Sequence, residues 1–177
     1  MKGLIETMYE SGEAKGLKKL IGSIVVHFVQ CELLGSMLID LATLTRSGSL
    51  AFENHWNTEK RISEYRKIMS RKKSVIRSDY FRLVNDWLDE LEKLKHLRNQ
   101  VVHSAWIPFI GLNEYDRNIV RNISNGKKEL HRERISKGDL QKIDQNVIGL
   151  HSDGWDIFHK ISPFKASTKR SVKKIKE

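Results

Sequence analysis

Arg98, Asn99 and His103 are the side chains of this chain best suited to chemistry on a phosphate. An arginine keeps its proton at any working pH and presents five N–H donors, a histidine gives or takes a proton near neutrality, and an asparagine can orient a phosphate or an imidazole. Together they suit phosphodiester cleavage, with proton transfer at His103 and charge stabilisation at Arg98. The position of the arginine is itself informative. Val84, Trp87, Leu88, Leu91 and Leu94 recur at the spacing of one buried helical face, and Arg98 projects within roughly 20° of Leu91, with Val101 and Ala105 continuing the face beyond it. A guanidinium is too costly to leave unpaired in a core. Arg98 therefore needs an anion, a carboxylate from elsewhere in the chain, or a groove between subunits that admits one.

A spacing of five separates two side chains by about 140° on a regular helix, so Arg98 and His103 are not expected to be simple neighbours. Asn99 and His103 share a face, and His96 lies on it too. Either the helix distorts near His103 or a second subunit completes the site.

The string Arg98-Asn99-x-x-x-His103, near the end of a long amphipathic helix, resembles the signature of the HEPN superfamily, the all-helical domains of prokaryotic toxins, abortive-infection proteins and RNA-cleaving CRISPR effectors. The detailed likeness is confined to the motif and its flanks; the helical arrangement extends it loosely over residues 14–160. The resemblance implies an all-α, up-and-down helical bundle acting as a homodimer that brings two motifs into one cleft. It further implies a metal-independent endoribonuclease without a cofactor, in which a ribose 2′-oxygen attacks the adjacent phosphate to leave a 2′,3′-cyclic phosphate and a 5′-hydroxyl. His103 would serve as general base or acid, Arg98 would stabilise charge on the phosphate and Asn99 would position the phosphate or the imidazole. RNA would be cleaved and DNA spared. The implied biology is a cytoplasmic toxin or antiphage effector held in check by an antitoxin or sensor protein. Some members carry a tyrosine two residues after the histidine, which a partner nucleotidyltransferase modifies with AMP; Ala105 stands there in this chain, so a protein-binding or RNA-binding antitoxin is expected instead.

Other readings of the same residues remain open. An Arg and a His at a helix end can simply satisfy the last carbonyls and the helix dipole, stabilising by about 0.3–1 kcal/mol. Arg98 can pair with Glu32, a carboxylate in the middle of the most apolar segment. That pairing is compatible with catalysis if Glu32 holds the arginine in place. A HEPN-like module that binds RNA, nucleotide or a protein without cleaving is the alternative function.

The composition frames these readings. A chain of 177 residues with 39% hydrophobic content is long and apolar enough for one domain with a real core, expected over residues 1–164. A formal net charge of +10 and a pI near 9.7 call for an acidic partner, nucleic acid or an anionic surface. The single Cys31 excludes a disulfide framework and a thiolate metal site, which fits a reducing cytosol. The opening residues carry Glu6, Glu10 and Glu13 and do not read as a secretory signal. The stretch from Leu20 to Leu44 is long enough to span a membrane, but His27, Gln30, Glu32 and Asp40 would be expensive in lipid, so it reads as a buried helix with no membrane role.

The expected elements follow from periodicity. A helix runs over residues 14–44, broken at residues 45–48; a polar loop with Trp56 leads to a second, basic helix over residues 57–73; Ser78 caps a third that runs to His103. Pro108 cannot continue it. Asn125-Gly126 between two extended runs predicts a small β-hairpin inserted after the motif helix, about residues 107–135. Ser136 caps a final helix from about Asp139, and residues 165–177 form a basic, flexible tail. The second helix, the hairpin and the tail together suggest a positive funnel for a polyanionic strand, with Tyr65, Tyr80 or Trp106 available for stacking on bases. Zinc-site spacings and glycine-rich phosphate loops are missing.

Overall fold

The computed structural model describes residues 12–55, 57–109, 114–122 and 128–162. Five helices and three strands make up these residues: α1 Gly12–Thr43, α2 Ser47–Asn54, α3 Thr58–Arg71, α4 Ser78–Val102, β1 Ala105–Phe109, β2 Glu114–Asn122, β3 Lys128–Ser136 and α5 Lys137–Ile161. The fold is mostly helical with a small antiparallel sheet.

Helix α1 is about 48 Å long at 1.5 Å per residue. It buries Leu17, Ile24, Phe28, Cys31, Leu34 and Leu38 along one side, where α5, α2, α4 and α3 pack against it. An 18-residue window of α1 has a mean hydropathy of 1.6, enough in length and composition to cross a membrane, yet half of that window is buried by the rest of the chain. Burial puts the Cys31 thiol at a pKa of about 12, and the group donates to the Val147 carbonyl at 3.6 Å.

Leu44 ends α1 in the left-handed region, with φ 52°. The chain then turns straight into α2 and does not form the long polar loop that the sequence suggested. Asp40, one turn before the end of α1, explains this: its carboxylate accepts from the Gly48 N–H at 2.7 Å and the Ser49 N–H at 3.2 Å, and so serves the first turn of α2. Only glycine fits at position 48, because a Cβ there would collide with the Ser36 carbonyl oxygen. Trp56 lies outside the described residues.

Helix α3 is capped by Asn57, whose side chain accepts from the Glu59 and Lys60 N–H groups at 2.8 and 3.4 Å. Its Tyr65 is fully buried and donates to the Glu32 carbonyl at 3.3 Å, so this ring belongs to the core and is not available to stack on a base. In α4, Ser78 is the first helical residue and not the cap; Arg77 precedes it and spends its guanidinium on Asp79 and the Tyr80 hydroxyl, at 2.7 and 2.8 Å. The Tyr80 ring is covered by the same guanidinium, 4.2 Å away.

After α4 the chain enters β1 at Ala105, which is exposed and does not extend the buried helical stripe. The expected hairpin is present as β2 and β3, paired antiparallel from Glu114↔Ser136 to Asn122↔Lys128; its Asn125-Gly126 turn lies outside the described residues. Strand β1 adds to it, giving the order β1-β2-β3, so the sheet begins at Ala105 with Trp106 opposite Arg117. Pro108 sits in this edge strand. Tyr115 joins Leu17, Ile24, Val101 and Leu140 in a cluster that ties the sheet to the helices. Trp106 donates its ring N–H to the Val101 carbonyl at 2.8 Å.

Strand β3 passes directly into α5 through Ser136, whose hydroxyl accepts from the Asp139 N–H at 3.1 Å while the Asp139 carboxylate accepts back from Ser136. On α5, Gly154 sits so close to α1 and α4 that a Cβ would be 2.6 Å from Leu34 Cδ2 and 3.0 Å from Trp87 Nε1. The Trp87 ring in turn donates to the Leu150 carbonyl at 2.8 Å. The expected tail at residues 165–177 falls outside the described residues.

Candidate functional site

Four helices converge on a cleft of about 540 Å³, and all three motif residues line it. Helix α4 supplies Lys95, Arg98 and Asn99, with His103 at its C-cap; α1 supplies Glu32 and Val29; Phe52 comes from α2, and Arg61 from the first turns of α3. Three cations face two carboxylates, Glu32 and Glu59, so the cleft carries a net positive charge before any histidine protonates.

Arg98 is half-buried. Its stem follows the apolar stripe, while Cζ stands 5.7 Å from the centre of the Phe28 ring and Nη1 donates to Asn99 Oδ1 at 3.0 Å. Nε is buried without a hydrogen-bond partner. His103 terminates the helix, with its backbone N–H bonded to the Asn99 carbonyl at 3.0 Å, and it is exposed where it lines the cleft. Leaving the helix at this residue is what lets the histidine share a cleft with Arg98 despite their separation on an ideal helix. One chain therefore brings the two together. His96 does not join them; it is exposed in a separate depression with Asp89, Glu92 and Lys93.

The Arg98–Glu32 pair, one of the readings left open by the sequence, does not form. Arg61 takes Glu32, with Nη1 3.1 Å from Oε2, while its Nε donates to the His55 carbonyl and its Cζ lies 4.1 Å above the Phe52 ring. Both partners are largely buried, at 12% and 4% side-chain exposure, and the second carboxylate oxygen of Glu32 has no partner. Periodicity could flag Glu32 as a carboxylate on an apolar helix. It could not single out Arg61 from the other cations of α3, because that choice depends on how α3 crosses α1.

Lys95 was missed as well. It is 4% exposed and lines the cleft, although nothing in its type or spacing marks it out in the sequence.

Among the described residues, several cations of the expected positive funnel are paired within the chain. On α3, Arg66 pairs with Asp89 and Glu92, and Lys67 and Arg71 pair with Glu64. On the sheet, Arg117 pairs with Glu133 and Arg132 with Asp116. A second group of polar side chains sits between α1 and α5, where Ser23 Oγ is 3.2 Å from His27 Nδ1 and 3.1 Å from Asp144 Oδ2. Asp144 approaches that same ring nitrogen at 3.5 Å, so the histidine cannot relay a proton between the two as in a nucleophilic triad. Among the described residues no cluster of three His, Cys, Asp or Glu side chains suits a metal ion.

No family model, no curated protein and no solved structure matches this chain.

Proposed function

We propose that the protein is a HEPN-like, metal-independent endoribonuclease. The observation that carries this reading is the convergence of Arg98, Asn99 and His103 on one positively charged cleft. In the proposed reaction His103 takes the proton of a ribose 2′-hydroxyl, the 2′-oxygen forms a bond to the adjacent phosphorus, and the bond from phosphorus to the 5′-oxygen breaks. The departing 5′-oxygen receives the proton, from His103 or from the second copy's His103, and the products carry a 2′,3′-cyclic phosphate and a 5′-hydroxyl. Arg98 stabilises charge on the nonbridging oxygens, and Asn99 holds the guanidinium through its 3.0 Å contact.

A homodimer is part of this reading. Val26, Val29 and Leu33 expose 56%, 42% and 48% of their surface on one side of α1, and Val29 also lines the cleft, so a second copy seated on this stripe would stand beside the motif. The function that follows is that of a cytoplasmic toxin or antiphage effector controlled by an antitoxin or sensor protein.

One observation favours the alternative, a module that binds RNA or nucleotide without cleaving it: His103 is exposed while Arg98 and Asn99 are half-buried, an arrangement that also serves anion recognition alone. Incubation of the purified protein with RNA in excess EDTA, with analysis of product ends, separates the two. Cleavage giving cyclic phosphate ends and abolished in both Arg98→Ala and His103→Ala supports the nuclease. Binding without cleavage supports the module, and cleavage that persists in both variants rejects the assigned site.

A further inference from the structure

We infer that Lys95 is a phosphate-contacting residue of the cleft and that the strand it takes is single-stranded; the inference rests on reading the cleft as an RNA site. The side chain of Lys95 is 5% exposed. Among the described residues its one ion-pair contact is Glu59 Oε2 at 3.9 Å, beyond hydrogen-bond reach, and that carboxylate side chain is itself 78% exposed. The lysine stem is buried while its ammonium lines the cleft beside Arg98. The pairing with Glu59 is long and solvated, so it leaves the ammonium able to donate to an incoming anion.

The position on α4 gives the charge a use. Lys95 precedes Arg98 by three residues and Asn99 by four, so the three lie within about 100° of arc on one face, and Lys95 and Arg98 are about 4.5 Å apart along the axis. An anion held by Arg98 is therefore within reach of an ammonium one turn below it. A phosphate oxygen would replace the loose Glu59 contact with a charge-assisted hydrogen bond. Because Lys95 is recessed and Arg98 half-buried, the backbone has to bend into the cleft, which an unpaired strand does and a regular duplex does not.

The test uses a single-stranded 2′-O-methyl oligonucleotide, which offers phosphates but no free 2′-hydroxyl for attack, and measures its affinity for the full chain as a function of KCl concentration. Lys95→Met keeps the bulk of the stem and removes the charge. It is expected to bind several-fold more weakly, with the slope of log affinity against log salt reduced by about 0.7, the contribution of one single-strand phosphate contact. Its urea midpoint should stay about level, since the long, solvated Glu59 contact contributes little to stability. Lys67→Met, on an exposed lysine paired with Glu64, should keep the wild-type slope. Unchanged affinity and slope in folded Lys95→Met overturn the inference, as does a lowered urea midpoint with unchanged affinity, which marks a purely structural lysine. If Lys95→Met does not fold, Lys95→Gln is measured against the same expectations. A wild-type protein that binds this oligonucleotide but leaves ordinary RNA intact rejects the nuclease and leaves Lys95 standing. A nuclease whose binding ignores Lys95 rejects only the inference.

Discussion

Arg61 and Glu32 form a buried ion pair across α3 and α1, with Nη1 3.1 Å from Oε2, and among the described residues this leaves Arg98 without a carboxylate partner. The wall of the motif's cleft is thus fixed by a different arginine, and the Arg98 guanidinium meets Asn99 and the Phe28 ring instead. Replacing Arg61 by Ala strands a carboxylate that is 4% exposed and should lower stability by about 3 kcal/mol, read as a shift in the urea unfolding midpoint. Removing both charges together, as Glu32→Leu with Arg61→Met, should recover most of that loss. A double variant as unstable as Arg61→Ala would show that the pair holds the helices by more than its own charge balance.

The two ends of the motif should fail differently. Under the proposed chemistry Arg98→Ala loses transition-state charge stabilisation, worth about 10²–10³ in kcat, and also weakens RNA binding. His103→Ala loses proton transfer, worth about 10²–10⁴ in kcat, with little change in binding because the residue is exposed where it lines the cleft. Single-turnover cleavage and equilibrium binding on the same RNA distinguish these patterns. Equal loss of binding in both would assign His103 to recognition.

The start of α5 should give stability an acid limb. The Asp139 carboxyl is held below the usual aspartate range because it accepts hydrogen bonds from the Ser136 hydroxyl and backbone N–H. A group depressed in the folded state stabilises above its unfolded value, near pH 4, and loses that contribution as pH falls through its folded value. The stability difference between wild type and Asp139→Asn should therefore be full at pH 6 and shrink below pH 4. A difference independent of pH would mean that the carboxylate charge is irrelevant to the cap.

Gly154 should tolerate no side chain. Alanine there would place its Cβ 2.6 Å from Leu34 Cδ2 and 3.0 Å from the Trp87 ring nitrogen, forcing α5 away from α1 and α4. A loss of about 1–3 kcal/mol is expected, with a blue or red shift of the buried Trp87 fluorescence marking the displacement. Gly149→Ala, which meets nothing within 4 Å on the same helix, should be neutral or mildly stabilising.

Much of the architecture is legible in the sequence because long helices announce themselves through apolar spacing: α1, α3, α4 and α5 sit close to where periodicity puts them. Ser136 was readable as a cap because it stands at the junction of two different periods. Helix α2 was not readable, since its eight residues depend on a distant carboxylate, Asp40, rather than on their own pattern. Strand β1 escaped for a similar reason: Pro108 argues against a ladder, and only the edge position in the sheet makes it acceptable. Of the cleft, the motif residues were visible as types at a spacing. Arg61 and Lys95 were not, because burial of a charged side chain is decided by which helix crosses over it.

The contact of α1 with α5 joins parts of the chain far apart in sequence: Cys31 meets the Val147 carbonyl across 116 residues, and Ser23 meets Asp144 across 121. Helix α1, which forms one wall of the cleft, emerges from the ribosome before α5, so much of its apolar side stays uncovered until its main packing partner has been made. The window between emergence of α1 and arrival of α5 is also the period in which that uncovered side is open to capture by another protein.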